Sequence, residues 1–265
     1  MTSLGKIYLV GAGPGDPELL TIKAHRLLRE ADLILHDDLV APAILSVAGA
    51  QAEVVNVGKR CGAKAITQEE IHARMIETSR RGLTVVRLKS GDPGIFGRLA
   101  EEIDALGAAG IPHEVVPGIT AGIAAAASLG ISLTDRRKSA RVVIVTGHKA
   151  YGGQTALKID WKSLAREDAT IVIYMPGHEF NNLREELLEA GLPPGIPAVI
   201  VSRATTREQQ HQFTTVGDLV SLSRLESPSI LLIGRSLEGT DARVRAGNFS
   251  RTIDSDLAEL MLASE

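Results

Sequence analysis

The chain has few of the residues on which several classes of protein depend. Its 265 residues include one cysteine, Cys61, which excludes an internal disulfide framework and is typical of a reducing compartment. Aromatic residues make up 3% of the sequence, so a surface that stacks nucleic-acid bases is not indicated. The formal net charge of −3 supplies no overall field for a polyanion, and an anionic ligand would need locally grouped Arg and Lys.

Signals for membrane insertion, export and metal binding are also weak. The one long uncharged stretch, 115–134, is broken by Pro117 and Gly118 and is rich in Ala, so it predicts a buried helix with small side chains. The N-terminus leads into a strand without the basic start and cleavage site of a signal peptide, and we expect a cytoplasmic protein. The histidines are dispersed and form no H-E-x-x-H pattern, so no metal site is predicted.

Short β-branched runs alternate with helical patterns along the chain. The predicted strands are 6–10, 33–36, 53–57, 84–88, 113–116, 142–146, 170–175, 198–201, 212–215 and 229–233. Helices are predicted to begin near Thr21, at the capping box Thr67-Gln68-Glu69-Glu70 and near Leu99, and to cover 182–190. This alternation predicts α/β layers, with some antiparallel pairing among the later strands because their connections are short.

We place a domain boundary near 117–120. The prediction is an N-terminal α/β domain over 1–118 and a C-terminal α/β domain over 119–245, two α/β lobes with the ligand cleft between them. Residues 246–265 are polar with sparse apolar positions, and we expect a loose helix or a frayed tail there.

The first of three glycine-containing segments, GAGPGD at 11–16, follows a predicted strand. It departs from the dinucleotide fingerprint because Asp16 stands where the third glycine is needed and Pro14 removes a backbone donor. A pyrophosphate is poorly served by a nearby carboxylate, so an uncharged or cationic ligand suits the loop better. A nicotinamide-binding oxidoreductase is therefore a less favoured alternative, and a plain tight turn is another.

The other two segments also leave strands. LKSGDPGIFGR at 88–98 places the Asp92 carboxylate and exposed backbone amides at the carboxyl end of a strand, where open α/β sheets bind ligands. That carboxylate is a candidate partner for a ribose, an amino group or a sulfonium-bearing ligand, against the alternative of a structural loop. In VPGITAG, Thr120 either caps the following helix or contacts a ligand.

Basic residues gather in three groups. Two adjoin glycine-rich turns and are candidates for carboxylate recognition, since Arg binds carboxylates in a bidentate fashion. Their members are Lys59, Arg60 and Lys64 in one group, and Arg87, Lys89 and Arg98 in the other. The third group is Arg136, Arg137, Lys138 and Arg141, and its stretch 137–141 is interpreted mainly as a solvated face.

Taken together, these motifs resemble the tetrapyrrole methylase family, in order from about Lys6 to Arg235. The matching segments are YLVGAGPGDPELLTIKA, HDDLV, VGKRCG, QEEI, VVRLKSGDPGIFGR, VVPGITAG, GISLTDR, VTGH, IVIYMPG and SPSILLIG. The resemblance implies two α/β domains in a homodimer, with S-adenosyl-L-methionine as cofactor, S-adenosyl-L-homocysteine as product and a small-molecule tetrapyrrole as substrate. It implies neither a metal, a membrane nor a nucleic acid, and it leads us to expect a stand-alone enzyme.

Within the family, the resemblance implies C-methylation of uroporphyrinogen III at positions 2 and 7 to give precorrin-2, on the routes to sirohaem, cobalamin or haem d1. The usual Gly-Gly-Asp-Pro is here Ser90-Gly91-Asp92-Pro93, which favours the alternative of a later corrin-ring methylase. His36 replaces the usual Tyr, and Asp135 replaces a His beside Arg136, where it is expected to weaken the grip of that arginine on a carboxylate.

Site residues are carried over by position. The expected cofactor contacts are Pro14, Ser90, Gly91, Asp92, Ile95, Thr120, Ala121, Met175 and Ala204. The proton-transfer residues of the family fall on Asp37 and Lys59, and Arg98, Glu101 and Arg136 would face the tetrapyrrole. The base that removes a macrocycle proton is expected to be Asp37 or a desolvated Arg98. On an extended backbone, only one of Asp37 and Asp38 should face the ligand.

Overall fold

A computed structural model describes residues 4–58, 66–147 and 159–246. Residue contacts divide these residues into two compact units that adjoin in sequence at Ala121 and Gly122. The predicted site residue Lys59 lies outside the described residues, as do Arg60, Cys61 and Lys64 and all but the first residue of the predicted tail at 246–265.

The elements match the predicted alternation closely. The strands are β1 (Ile7–Gly11), β2 (Leu33–His36), β3 (Glu53–Asn56), β4 (Val85–Lys89), β5 (His113–Val116), β6 (Arg141–Thr146), β7 (Ala169–Tyr174), β8 (Pro197–Ser202), β9 (Gln210–Thr215) and β10 (Ser229–Ile233). The helices are α1 (Ile22–Glu30), α2 (Pro42–Leu45), α3 (Gln68–Arg80), α4 (Leu99–Ala108), α5 (Ala121–Ala127), α6 (Trp161–Leu164), α7 (Asn181–Glu189) and α8 (Thr240–Arg245). The short helices α2, α6 and α8 were not predicted.

Local chemistry explains where the long helices of the first unit begin. The Thr21 hydroxyl accepts a hydrogen bond from the Ala24 backbone amide at 3.1 Å and so caps α1. The predicted capping box opens α3, with the Thr67 hydroxyl accepting from the Glu70 amide at 3.2 Å and the Glu70 carboxylate accepting from the Thr67 amide at 2.7 Å.

The first unit is a parallel sheet with the order β3-β2-β4-β1-β5. Alternate strand residues face opposite layers, so Val86 and Leu88 pack with α1, whereas Val85 packs with Met75 of α3 and Leu106 of α4. The inner strands β1 and β2 are covered on both faces, which is why they are nearly continuous apolar runs, whereas the edge strands β3 and β5 are partly exposed. The same alternation directs Arg87 and Lys89 toward the α3–α4 layer.

The second unit contains a sheet with the order β6-β7-β10-β8-β9. Strands β6 and β7 are parallel, and the other neighbouring pairs are antiparallel, as expected from the short connections. Ile171, Ile200 and Leu231 pack on the same core as Trp161 of α6 and Leu187 of α7.

The uncharged stretch 115–134 contains the end of β5 and the short helix α5. Its small residues Gly122, Ala124, Ala125 and Ala126 are buried, which confirms the predicted small-faced helix. Within the described ranges, no helix combines the length and the apolar character that crossing a bilayer would require.

Candidate active site

Three glycine loops meet at the carboxyl ends of β1, β4 and β5. Gly13 and Gly91 exchange backbone hydrogen bonds of 3.1 and 2.8 Å between the first and second loops. A Cβ added at Gly118 in the third loop would lie 2.3 Å from the Gly91 carbonyl oxygen and 2.9 Å from the Gly11 Cα. Because these neighbours are backbone atoms, only glycine allows so close an approach. The glycines thus bring three backbone segments together at one edge of the sheet.

Asp92 braces these loops from within. Its Oδ1 accepts a hydrogen bond from the Gly94 amide at 2.8 Å, and its Oδ2 accepts one from the Gly118 amide at 2.9 Å. Each oxygen therefore already has a backbone donor, and the carboxylate holds the second loop against the third. Its predicted contact with a ligand is limited to the lone pairs that remain.

The acidic residue of the first loop, Asp16, has a structural role. The Asp16 Oδ1 accepts from the Glu18 amide at 3.0 Å and caps a short 3₁₀ helix at Pro17–Leu19. The carboxylate that stands at the third glycine position of a dinucleotide fingerprint is thus a helix cap. Pro14 lies between this cap and Gly13, which pairs with Gly91.

The structure brings several predicted cofactor contacts of the first unit together. A Cβ at Gly91 would lie 3.6 Å from the Ala121 nitrogen and 3.9 Å from the Thr120 hydroxyl, and Ile95 donates its amide to the Asp92 carbonyl at 3.2 Å. Thr120 is buried and directly precedes α5.

Asp37 stands just beyond the end of β2 in a turn, where the Val40 amide donates to the Asp37 carbonyl at 3.2 Å. The prediction of an extended backbone here was wrong, because the strand ends at His36. The two neighbouring carboxylates nevertheless diverge: Asp37 accepts from the Arg87 guanidinium, and Asp38 accepts from the Asn56 side-chain amide at 3.0 Å.

Arg87 and Lys89 are not positioned to bind a substrate carboxylate, contrary to the prediction from sequence. Both side chains are only 3% exposed, and both point from β4 to the fully buried Glu102 of α4. The Arg87 Nε and the Lys89 Nζ lie 3.0 and 2.8 Å from the same oxygen, Glu102 Oε1. Burial lowers the pKa of Lys89, as does the Arg87 charge, whereas Glu102 opposes this shift. We call Arg87, Lys89 and Glu102 the buried charge cluster.

Arg98, by contrast, is on the surface. It has a left-handed backbone with φ of 56°, and its Nε and Nη2 donate to the two carboxylate oxygens of Glu101 at 2.8 and 2.5 Å. These hydrogen bonds raise the pKa of Arg98 and lower that of Glu101. The expectation of a desolvated Arg98 that acts as a base is therefore wrong, because the side chain is about half exposed and is held as a cation.

The turn that carries Arg136 also differs from expectation. Asp135 was expected to weaken Arg136, but it binds Arg137 through side-chain hydrogen bonds of 2.9 and 2.8 Å, which hold the pKa of the Asp135 carboxyl at about 2. Arg136 is exposed and forms no ion pair with any residue that the structure describes. The surface position of Arg137 confirms the solvated-face interpretation, as do the surface ion pairs of Lys138 with Glu238 and of Arg141 with Asp168.

In the second unit, the two predicted cofactor segments have unusual backbones. Met175 has a φ of 49°, and Ala204 lies between Arg203 and Thr205, whose φ angles are 46° and 70°. The Thr205 hydroxyl is buried and has no hydrogen-bond partner among the described residues. Such backbones cost about 1–3 kcal/mol each and concentrate at functional sites.

Some residues of the site were missed from sequence. Glu102 was given no role, and the Tyr174 hydroxyl, which accepts from the Gly122 amide at 2.7 Å, ties β7 to α5. The sequence did contain a signal for Glu102, since two cations at alternate positions of a buried strand require a buried anion nearby. No sequence signal pointed to Tyr174.

Comparison with known proteins agrees with this architecture. The family of tetrapyrrole (corrin/porphyrin) methylases matches residues 6–220, and the chain belongs to this family. The uroporphyrinogen-III C-methyltransferase of Paracoccus denitrificans is 42% identical over 234 residues, which are 87% of this chain and 81% of that protein.

Two solved structures are similar. A uroporphyrin-III C-methyl transferase from Thermus thermophilus, complexed with S-adenyl homocysteine, has 38% identity and a TM-score of 0.75 over 88% of this chain and 99% of that one. A cobalt precorrin-4 methyltransferase has 31% identity and a TM-score of 0.78 over 88% of this chain and 96% of that one. The chain spans about half the length of the siroheme synthases that it matches, 49% of the one from Gluconacetobacter diazotrophicus.

Proposed function

We propose that the chain transfers methyl groups from S-adenosyl-L-methionine to positions 2 and 7 of uroporphyrinogen III and so forms precorrin-2. The observation that carries this proposal is the likeness to the Paracoccus methyltransferase over most of both chains. The S-adenyl homocysteine in the Thermus neighbour supports S-adenosyl-L-methionine as the methyl donor. Sirohaem, cobalamin or haem d1 would be the destination of the product.

The glycine loops suit such a donor. When bound, S-adenosyl-L-methionine supplies an electrophilic methyl group, and the chain has to hold it in line with an electron-rich pyrrole carbon. The loops offer backbone amides and one carboxylate, Asp92, that is itself held by hydrogen bonds. Asp16 and Pro14 make the first loop unsuited to binding a phosphate. The proposed contacts stay Pro14, Ser90, Gly91, Asp92, Ile95, Thr120, Ala121, Met175 and Ala204.

Asp37 is the proposed proton acceptor. Its side chain is 33% exposed and its Oδ1 is held by Arg87, which leaves Oδ2 available to a ligand. Methyl transfer makes the macrocycle cationic, and loss of a ring proton to Oδ2 returns the electron pair of the broken C–H bond and neutralises that cation. Lys59, outside the described residues, stays a proposed proton-transfer residue.

Recognition of an octacarboxylate in a chain with net charge −3 requires local cations. We assign this role to Arg98 and Arg136. Glu101 holds the Arg98 guanidinium in place, so a substrate carboxylate would share or replace that bidentate pair. We further propose that the enzyme is a cytoplasmic homodimer.

Replacement of Arg136 by Ala is expected to raise KM for uroporphyrinogen III about tenfold and to leave kcat within about threefold, because a charge-assisted hydrogen bond contributes about 1.5–3 kcal/mol. Steady-state kinetics at saturating methyl donor would measure both constants. Arg166→Ala is the matched control, since Arg166 also lies exposed in the second unit, where its Nε is 3.8 Å from an Asp168 carboxylate oxygen. An unchanged KM in Arg136→Ala would remove Arg136 from substrate binding.

The function itself is tested by product mass. Incubation with freshly generated uroporphyrinogen III and S-adenosyl-L-methionine should yield a fluorescent tetrapyrrole that is heavier by two methyl groups. Consumption of the donor without that product would refute the assigned substrate.

A later corrin-ring methylase is the second candidate. The observation in its favour is the TM-score of 0.78 with the cobalt precorrin-4 methyltransferase, together with Ser90 in the loop after β4. Parallel incubations with precorrin-2 and with cobalt precorrin-4 separate the two candidates, since the first proposal expects methylation of uroporphyrinogen III alone.

A further inference from the structure

We propose that Arg87 and Glu102 are positioning residues for the proton-transfer step, which orient the Asp37 carboxylate. The inference rests on the proposed function because it takes Asp37 as the proton acceptor. It concerns two residues that never reach the ligand and act only through Asp37.

The Arg87 guanidinium is fixed on every side. Its Nε donates to Glu102 Oε1 at 3.0 Å, its Nη1 lies 3.3 Å from both the Leu35 and Leu88 carbonyl oxygens, and its Nη2 donates to Asp37 Oδ1. A planar group with four partners has almost no rotational freedom. The direction of its bond to Asp37 is therefore set by the interior of the first unit.

The backbone of Asp37 is held as well. Its amide donates to the Leu88 carbonyl at 3.2 Å, and its carbonyl oxygen lies 2.9 Å from the His36 Nδ1. With the main chain and Oδ1 both held, Oδ2 is the oxygen left to take a proton, and it forms no hydrogen bond to any residue in the described ranges.

The charges around Arg87 favour its ion pair with the Asp37 carboxylate. The buried charge cluster contains two cations and one anion. Glu102 Oε1 accepts hydrogen bonds from both cations and, at 3.3 Å, from the Gln68 side-chain amide. Glu102 Oε2 is buried and has no hydrogen-bond partner in the part of the chain that the structure describes. Among the described residues, Asp37 supplies the second carboxylate that pairs with Arg87. Within the described ranges, Asp38, His36 and Lys89 are the other titratable groups near Asp37.

Two substitutions with opposite effects on charge test the proposal. Arg87→Gln removes the cation that binds Asp37, so the titration midpoint measured for the Asp37 carboxyl should lie above that of the wild-type chain. Glu102→Gln keeps an acceptor oxygen but leaves the cations unbalanced, so the same carboxyl should titrate lower. These midpoints can be measured without turnover by carbon NMR of protein in which the aspartate carboxyl carbons are labelled. The Asp37 signal is assigned as the one that is missing in Asp37→Asn.

Kinetics complete the test. The acid limb of the kcat–pH profile should move up in Arg87→Gln and down in Glu102→Gln, and kcat at neutral pH should fall about 100-fold in Arg87→Gln. Arg87→Lys, which keeps the charge but cannot reach all four partners, should retain the wild-type midpoint and recover only part of kcat. Arg74→Gln is the matched control, since it removes an exposed 2.6 Å ion pair with Glu53 in the same unit.

The outcomes separate the two hypotheses. Midpoints that do not move in either variant overturn the positioning role, even if the wild-type enzyme methylates uroporphyrinogen III. Opposite shifts together with no methylation of that substrate support the positioning role and refute the proposed function. If Arg87→Gln does not fold, the downward shift in Glu102→Gln and the Arg87→Lys comparison decide alone.

Discussion

Asp37→Asn is expected to lower kcat about 10²–10⁴-fold, the usual contribution of a general base, while S-adenosylhomocysteine binds within about twofold of wild type. The substitution keeps the shape of the side chain and the acceptor for Arg87 but removes the basic oxygen. Single-turnover methyl transfer and calorimetric binding of S-adenosylhomocysteine measure the two effects separately.

The neighbouring carboxylate supplies the control for this experiment. Asp38→Asn changes charge one residue away, and its side chain faces Asn56 instead of Arg87, so kcat should stay within about threefold. If both variants lose activity equally, a general loss of negative charge is responsible and Asp37 has no special role.

Gly118→Ala should cost about 3 kcal/mol or more of unfolding free energy and abolish binding of S-adenosylhomocysteine. The added methyl group would stand 2.3 Å from the Gly91 carbonyl oxygen and 2.9 Å from the Gly11 Cα, and neither backbone atom can rotate away. Denaturant unfolding and calorimetry measure the two losses.

Gly107→Ala is the matched control for that substitution. Gly107 lies inside α4 with nothing within 4 Å of its added Cβ, so Ala there should leave stability unchanged or raise it by about 0.5–1 kcal/mol. If Gly118→Ala binds S-adenosylhomocysteine and unfolds like the wild type, the close contacts of Gly118 with Gly91 and Gly11 do not hold the loops together.

Much of the fold was predictable because local and long-range signals agree. The inner strands β1 and β2 are covered on both faces and are nearly continuous apolar runs, and the capping box at Thr67 marks the start of α3 without tertiary information. The helices α2, α6 and α8 were missed because four to six residues carry too little periodicity.

The candidate site was predictable only in outline. Glycine-rich turns after strands located the loops, but charge partners depend on which way each side chain points in three dimensions. Arg87 and Arg98 looked alike in sequence, yet strand alternation buries the first and the loop before α4 exposes the second. Backbone angles such as that of Met175 have no sequence signature, because residues other than glycine rarely adopt them.

The two adjacent glutamates at the start of α4 have a consequence for how this region can vary. Glu101 holds a cation on the surface and Glu102 holds two in the interior, so one rigid helical turn sets both the outer and the inner electrostatics of the unit. Successive helical residues point about 100° apart, and one inserted residue between Gly97 and Glu101 would turn the wrong carboxylate inward. The length of the segment between Gly97 and Glu101 is therefore constrained by the partners of both glutamates.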